Sequence, residues 1–163
     1  MHEPARFQSQ AYLAVLSPTA SSLRCTYSQA GLAAMRLAAE QTYPQEACGL
    51  LIGRLGAEGW QVLETRQVAN INTERAADRF QLDPDAYRRI DRELRDSGKE
   101  IIGVFHSHPD CPAKPSPTDL ANAWEGFIYP IIRVEQGRAT EINWWTMGPD
   151  ERFQPVSLLE EQS

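Results

Sequence analysis

The apolar run Ile101-Ile102-Gly103-Val104-Phe105 leads without a break into His106-Ser107-His108-Pro109, and no other stretch restricts the fold as much. A short, continuous apolar segment ending in polar residues predicts a buried strand, with the histidines at its C-terminal edge. Residues i and i+2 of a strand point to one face, so the imidazoles of His106 and His108 can converge on a single point. A Pro-rich loop then leads to Ser116-Pro117-Thr118-Asp119, and Asp119 lies eleven positions beyond His108. Two ring nitrogens and a carboxylate oxygen form a donor set suited to zinc with a fourth coordination position open. The same four residues also read as a helix start, with Ser116 as N-cap, Pro117 in the first helical position and Asp119 closing a capping box. Ser116 can serve both readings, whereas the two uses compete for the carboxylate of Asp119.

The 163 residues, 42% of them hydrophobic, suit one domain large enough to bury a core. A net charge of -6, with no Lys/Arg cluster, gives no footprint for a phosphate backbone, so nucleic acid is not expected as a partner. No apolar run approaches the roughly 18 residues of a membrane span, and Met1 to Gln10 lacks the basic-then-apolar order of a signal peptide. A cytoplasmic protein is expected, with no membrane partner. Cys25, Cys48 and Cys111 are odd in number and lack C-x-x-C spacing, which predicts reduced thiols.

Three segments follow from the punctuation of the chain. Residues 1–22 read as an accessory arm, with Ala11 to Leu16 apolar enough for a strand and Ser17 to Ser22 a loop. Residues 23–147 hold the main domain. They begin with a strand at Leu23 to Tyr27 and a helix of about 14 residues, capped by Ser28 and stopped by Tyr43-Pro44. Glu46 then opens an apolar strand through Cys48 to Gly53, a turn at Gly56 to Gly59 leads to a strand from Trp60 to Val68, and the pair makes a hairpin. Asp83-Pro84 opens an amphipathic helix carrying Ala86, Tyr87, Ile90 and Leu94, and Ser97-Gly98 closes it. After the central strand, a helix at 116 to about 124 precedes a second hairpin around Gln136-Gly137. Residues 148–163 form a C-terminal tail, Pro- and acid-rich, in which Val156, Leu158 and Leu159 read as docking in a last strand or a helix turn. The whole is an α/β layered domain on a mixed sheet.

A divalent ion with one open position lowers the pKa of bound water toward about 7, and such a site needs a base. Glu46 is an isolated carboxylate at the mouth of an apolar strand. It reads either as a solvent-facing residue or, if its strand pairs beside residues 101–106, as a base that passes a proton to the leaving amine. Ser116 can donate its hydroxyl to the oxyanion that develops when water attacks a carbonyl. Trp124, Trp144 and Trp145 are expected in the core or on strand faces.

Glu46 followed by Cys48-Gly49-Leu50-Leu51-Ile52-Gly53, then His106-Ser107-His108-Pro109, Pro115-Ser116 and Asp119, resembles the JAMM (MPN-plus) metalloprotease motif. That motif runs Glu, then His-Ser/Thr-His, seven residues, Ser, two residues, Asp, and the match is complete. The resemblance covers roughly residues 23 to 147. It implies a single-domain MPN (cytidine-deaminase-like) layered fold, with a curved mixed sheet flanked by helices. It also implies a zinc metallopeptidase with His106, His108 and Asp119 as Zn2+ ligands, Glu46 as general acid/base and Ser116 as oxyanion stabiliser. Members of the family cut bonds that follow the C-terminus of ubiquitin-like proteins. The short path from residue 124 to residue 128 resembles the small stand-alone prokaryotic members, some of which act on the Gly-Gly end of a sulfur-carrier protein. By this resemblance the substrate is an extended Gly-Gly tail, laid along a sheet edge near residues 67 to 72. Cys48 and Cys111, close in sequence to Glu46 and His108, read as incidental thiols or as a pair that silences the enzyme on oxidation. Two other readings stand beside this one. A non-catalytic MPN scaffold would lack one or more ligands, and a RadC-like DNA-repair protein would carry Asn in place of Ser107.

Overall fold

The computed structural model describes residues 4–160, so the first three residues of the arm and the last three of the tail lie outside the description. A short 3-10 turn, Ala5–Gln8, and the four-residue helix α1, Gln10–Leu13, precede the first strand, β1, Arg24–Tyr27. Helix α2, Gln29–Thr42, begins where the Ser28 hydroxyl accepts the Gly31 N–H at 3.1 Å and ends just before Pro44. The hairpin follows as β2, Cys48–Gly56, and β3, Gly59–Val68, paired antiparallel. Helix α3, Pro84–Glu93, is capped by Asp83, which accepts the Asp85 N–H at 2.9 Å. The central strand β4, Glu100–Pro109, leads through the Pro-rich loop to α4, Pro117–Ala121. Strands β5, Ile128–Glu135, and β6, Arg138–Met147, turn on Gln136 and Gly137, both at positive φ as a tight two-residue hairpin requires.

The sheet closes on itself in the order β1-β3-β2-β4-β5-β6-β7, where β7 is Phe153–Glu160. Three contacts are parallel, β1 with β3, β1 with β7 and β4 with β5, and the rest are antiparallel. This is the mixed α/β sheet expected, with one addition. The chain after Gly148 is a full member of the barrel, and its parallel pairing with β1 closes the curved sheet on itself.

Two apolar clusters occupy the two faces. Met35, Ala38 and Ala39 of α2 pack with Tyr27, Leu51, Phe105, Ile132 and Trp144 on one face. Ala86 and Ile90 of α3 pack with Leu50, Val104, Ile131, Trp145 and Phe153 on the other. β4 therefore alternates Phe105 into the first cluster and Val104 into the second, so His106 and His108 lie on the α3 face. Gly103 lets β5 approach, since a Cβ there would stand 2.1 Å from the Ile128 carbonyl oxygen.

The N-terminal segment departs from expectation. Ala11 to Leu16 is not a strand: residues 10–13 are helical, with Ser9 accepting the Tyr12 N–H. Phe7 and Val15 are buried, and Leu16 bridges Phe153. Bonds from Ser17 N–H to the Phe153 carbonyl and from Phe153 N–H to the Val15 carbonyl, both 2.8 Å, tie the arm to β7.

Candidate active site

The register of β2 against β4 assembles the first half of the site. Cys48 pairs with His106, and the same antiparallel spacing continued by two residues sets Glu46 across from His108. Ser107 extends the ladder past the end of β2. Its N–H donates to the Ala47 carbonyl at 3.0 Å and its hydroxyl accepts the Ala47 N–H at 2.7 Å. Glu46 is thereby held facing the histidines, and it is buried at 5% exposure rather than turned to solvent.

The second half comes from α4, where one carboxylate both closes the capping box and faces the two histidines. The Ser116 hydroxyl accepts the Asp119 N–H at 3.1 Å, and Asp119 Oδ2 accepts the Ser116 N–H at 2.8 Å. The same carboxylate places Oδ1 3.4 Å from His106 Nε2 and Oδ2 3.6 Å from His108 Nε2. The expected competition for Asp119 does not arise, because a carboxylate has two oxygens and about four lone-pair sites to share.

His106 Nε2 and His108 Nε2 are 3.1 Å apart. The 3.1 Å between the ring nitrogens, and the 3.4 and 3.6 Å from each to its own oxygen of Asp119, are close to the roughly 3.3 Å between donors that zinc bonds of about 2.0–2.1 Å give in a tetrahedral shell. The His108 Nδ1–H donates to the Pro112 carbonyl at 2.7 Å, which leaves a bare lone pair on Nε2, as a metal ligand requires. His106 stacks on Phe80, ring centroids 4.5 Å apart, and its Nδ1 is buried without a partner among the described residues. The donor set fits a divalent ion. Glu46, His106 and His108 also bring ligand atoms within 4.8 Å of one another, so two carboxylates flank one histidine pair.

The two carboxylates are in opposite states. Burial pushes Glu46 up to about 8, with the charges of Asp119 and Asp78 adding to it and those of His108 and Arg79 opposing. Burial acts on Asp119 too, but its contacts with the two imidazoles outweigh it and hold the carboxyl well below its ordinary range. Burial lowers His106. The same desolvation at His108 is overcome by Asp119, Glu46 and the Pro112 carbonyl, and its pKa rises. One carboxylate that retains a proton beside one that does not is the pattern of an acid/base group next to a ligand.

The site opens into a cavity of about 400 Å³, whose lining includes Glu46, both histidines, Ser116 and Asp119. Residues that were not singled out in the sequence shape it. Asn70 makes four bonds: its amide NH2 donates to the carbonyls of Glu46 (3.2 Å) and Arg79 (3.0 Å), and its oxygen accepts the N–H groups of Asn72 and Gln81 at 3.0 Å. With the Glu46 N–H on the Ala76 carbonyl at 2.6 Å, this anchors the segment 70–82 to the backbone of Glu46. An Asn after a strand is so common in turns that nothing marked it. Asn70→Ala should lower stability by about 1–3 kcal/mol, read from urea denaturation, because it strands several half-buried groups at once. Asn70→Asp, which keeps the two accepting bonds, should recover part of the loss.

Two further expectations change, and that of reduced thiols stands. The edge at 67–72 is already covered, since Ile71 N–H bonds the Gln81 carbonyl at 3.0 Å and Asn70 bridges Leu82. Trp144 and Trp145 are core residues, whereas Trp124 is 55% exposed at the cavity rim, edge-on to Tyr87 and Phe127. The thiols of Cys48 and Cys111 are free; Cys48 is buried against the Val68 and Ala69 carbonyls, and Cys111 lines the cavity beside Arg6.

Fold and donor set together define a hydrolase of the JAMM type. The chain belongs to the family of prokaryotic homologs of the JAB domain, which it matches over residues 28–147. It is 35% identical over 103 residues to a desampylase of Haloferax volcanii, covering 62% of this chain and 70% of that protein. Against a CysO-cysteine peptidase of Mycobacterium tuberculosis the identity is 32% over 92 residues, 56% of this chain and 60% of that one. A solution structure from Desulfitobacterium hafniense superposes with a TM-score of 0.74 at 26% identity, over 85% of this chain and 94% of that one.

Proposed function

We propose that this protein hydrolyses the amide bond after the C-terminal Gly-Gly of a ubiquitin-like or sulfur-carrier protein. The observation that carries the reading is the triangle of His106 Nε2, His108 Nε2 and the Asp119 carboxylate, with Glu46 beside it. His106, His108 and Asp119 would hold zinc, which when bound supplies a Lewis acid and an activated water. Glu46 accepts a proton from the attacking water and returns it to the leaving amine, a task that suits a carboxyl pushed up to about 8. Ser116 is the oxyanion donor. Its oxygen lone pair is taken by the Asp119 N–H, so its own proton is free to point into the cavity. All five residues of the motif are present and gathered together, which favours an enzyme over a scaffold. Ser107, bonded on both sides to Ala47, occupies the place where a RadC-like protein would carry Asn.

The tail has a path. Both backbone groups of Gln81 turn inward, N–H to Asn70 and carbonyl to Ile71, so those of Phe80 and Leu82 face away and offer an edge for strand addition. Thr118, Asn122 and Trp124 line the cavity together with that edge, and the Phe80 ring stacks over His106 beside it. No helix among the described residues is long and apolar enough to cross a membrane, and the three thiols are free, which fits the cytoplasm as the place of reaction.

The test is turnover. Zinc-loaded protein should cleave a ubiquitin-like domain joined through Gly-Gly to a reporter and release the domain with a free Gly-Gly carboxylate, detected by mass. Failure to cleave any Gly-Gly fusion, in a preparation shown to hold zinc, would remove the reading.

A further inference from the structure

The cavity wall is not built from the family segment alone. Arg6, Phe7 and Tyr12 line it and lie outside the residues 28–147 that match the family. Phe7 is buried, packs edge-on to Tyr12 with centroids 4.9 Å apart, and approaches the His108 ring at 6.2 Å. Phe80, from the segment that offers a strand edge, covers His106 instead. Each ring thus stands against a different histidine of the pair, and a tail that enters past Phe80 and His106 would carry its leaving group on toward His108 and Phe7.

On that side stands a cation without a carboxylate. The Arg6 guanidinium donates to the Cys111 thiol at 3.2 Å and lies 5.3 Å from the Phe7 ring centroid, and no carboxylate among the described residues is within ion-pair distance of it. Asp78, the acidic residue of the lining nearest in role, is taken on both oxygens by Arg75. Arg79, also in the lining, spends one guanidinium nitrogen on the Asp78 carbonyl and forms no ion pair among the described residues. A guanidinium fork left open at the edge of a reacting centre matches a carboxylate in two-point geometry.

Resting on the function proposed above, we infer that the leaving group is a free amino acid whose α-carboxylate is bound by Arg6, and not the lysine side chain of a protein. The reaction balances as a hydrolysis: water adds across the Gly–amino acid amide, the C–N bond breaks, the carrier keeps a Gly-Gly carboxylate and the amino acid leaves with its amine and carboxylate. A lysine arriving through its side chain brings a neutral aliphatic stem to the same wall and gives Arg6 nothing to pair with. The arm that carries Arg6 is fixed by the Leu16 to Phe153 bridge and by the paired bonds of Ser17 and Val15 with Phe153, so the wall is part of the fold.

Two peptides ending -Gly-Gly-Ala, one with a free C-terminal acid and one with an amide, decide it. Cleavage by the zinc-loaded protein should favour the acid by tenfold or more in kcat/KM. In Arg6→Gln that preference should collapse to within about twofold, and in Arg6→Lys it should survive in part. Binding of the same peptides to zinc-loaded Glu46→Gln, by calorimetry, should show the same ratio without turnover. Equal handling of acid and amide by the parent, or a preference that persists in Arg6→Gln, overturns the assignment of Arg6 while leaving the Gly-Gly hydrolase intact. Absence of both cleavage and binding for either peptide, and for Gly-Gly fusions, overturns the hydrolase itself and this inference with it.

Discussion

Glu46→Gln should bind the same metal as the parent and turn substrate over about 10²- to 10⁴-fold more slowly, the range that removal of a positioned acid/base gives. Gln matches Glu in volume, so the pocket formed where Glu46 faces His108 is not emptied, and the backbone bonds of residue 46 to Ala76 and Asn70 are untouched. What is lost is the ability to accept a proton. Stability provides an independent check. Burial raises the Glu46 pKa from 4.5 to about 8 in the folded protein without metal, so it is the charged form that opposes folding. In that protein, stability should fall as pH rises through the window from about 4.5 to 8, and Glu46→Gln should be flatter across it. Stopped-flow or endpoint assays on a Gly-Gly fusion, together with urea titrations at several pH values, read both effects. Turnover within tenfold of the parent would remove Glu46 as the base.

How far the site could be read in advance depended on whether its parts are local in the chain. The helix start at Ser116, the strand leading to His106 and His108, and the hairpin behind Glu46 each rest on patterns within a dozen residues, and each forms where the pattern places it. The step from those parts to one pocket rests on β2 pairing with β4, about fifty residues apart in the chain, and only the spacing of the motif hinted at it. The arm and the last strand had no such help. Ala11 to Leu16 carries an apolar run that suits a strand, but the run follows Ser9, a helix cap, and Phe7 packs on Tyr12 to hold one helical turn. In β7 the apolar Val156, Leu158 and Leu159 fit a strand or a helix turn equally, Pro155 weakens the strand pattern, and the partner β1 lies at the opposite end of the chain, so its place in a closed sheet was not legible. Trp124 defied its residue type. A large aromatic side chain is usually core, and one left 55% exposed at a cavity rim signals a surface to be covered.

Asp119 performs two tasks, and two substitutions separate them. Asp119→Asn keeps a carbonyl oxygen that can accept the Ser116 N–H, so α4 should still start at Ser116 and thermal stability should stay close to that of the parent. It removes the negative charge and one anionic oxygen facing His106 and His108, and zinc affinity should fall by at least about 100-fold in competition with a chromophoric chelator. Asp119→Ala should lose the metal and also about 1 kcal/mol of stability, since the capping box opens and the Ser116 N–H loses its acceptor in a largely buried place. The comparison matters because two carboxylates approach the histidine pair. If Asp119→Asn takes up zinc as tightly as the parent, the metal rests on Glu46, His106 and His108, Asp119 is a helix cap alone, and the base must be sought elsewhere. The geometry favours Asp119 as the ligand: its oxygens reach both ring nitrogens at 3.4 and 3.6 Å while it stays ionised, whereas Glu46 is the carboxyl that burial keeps protonated nearest to neutral pH.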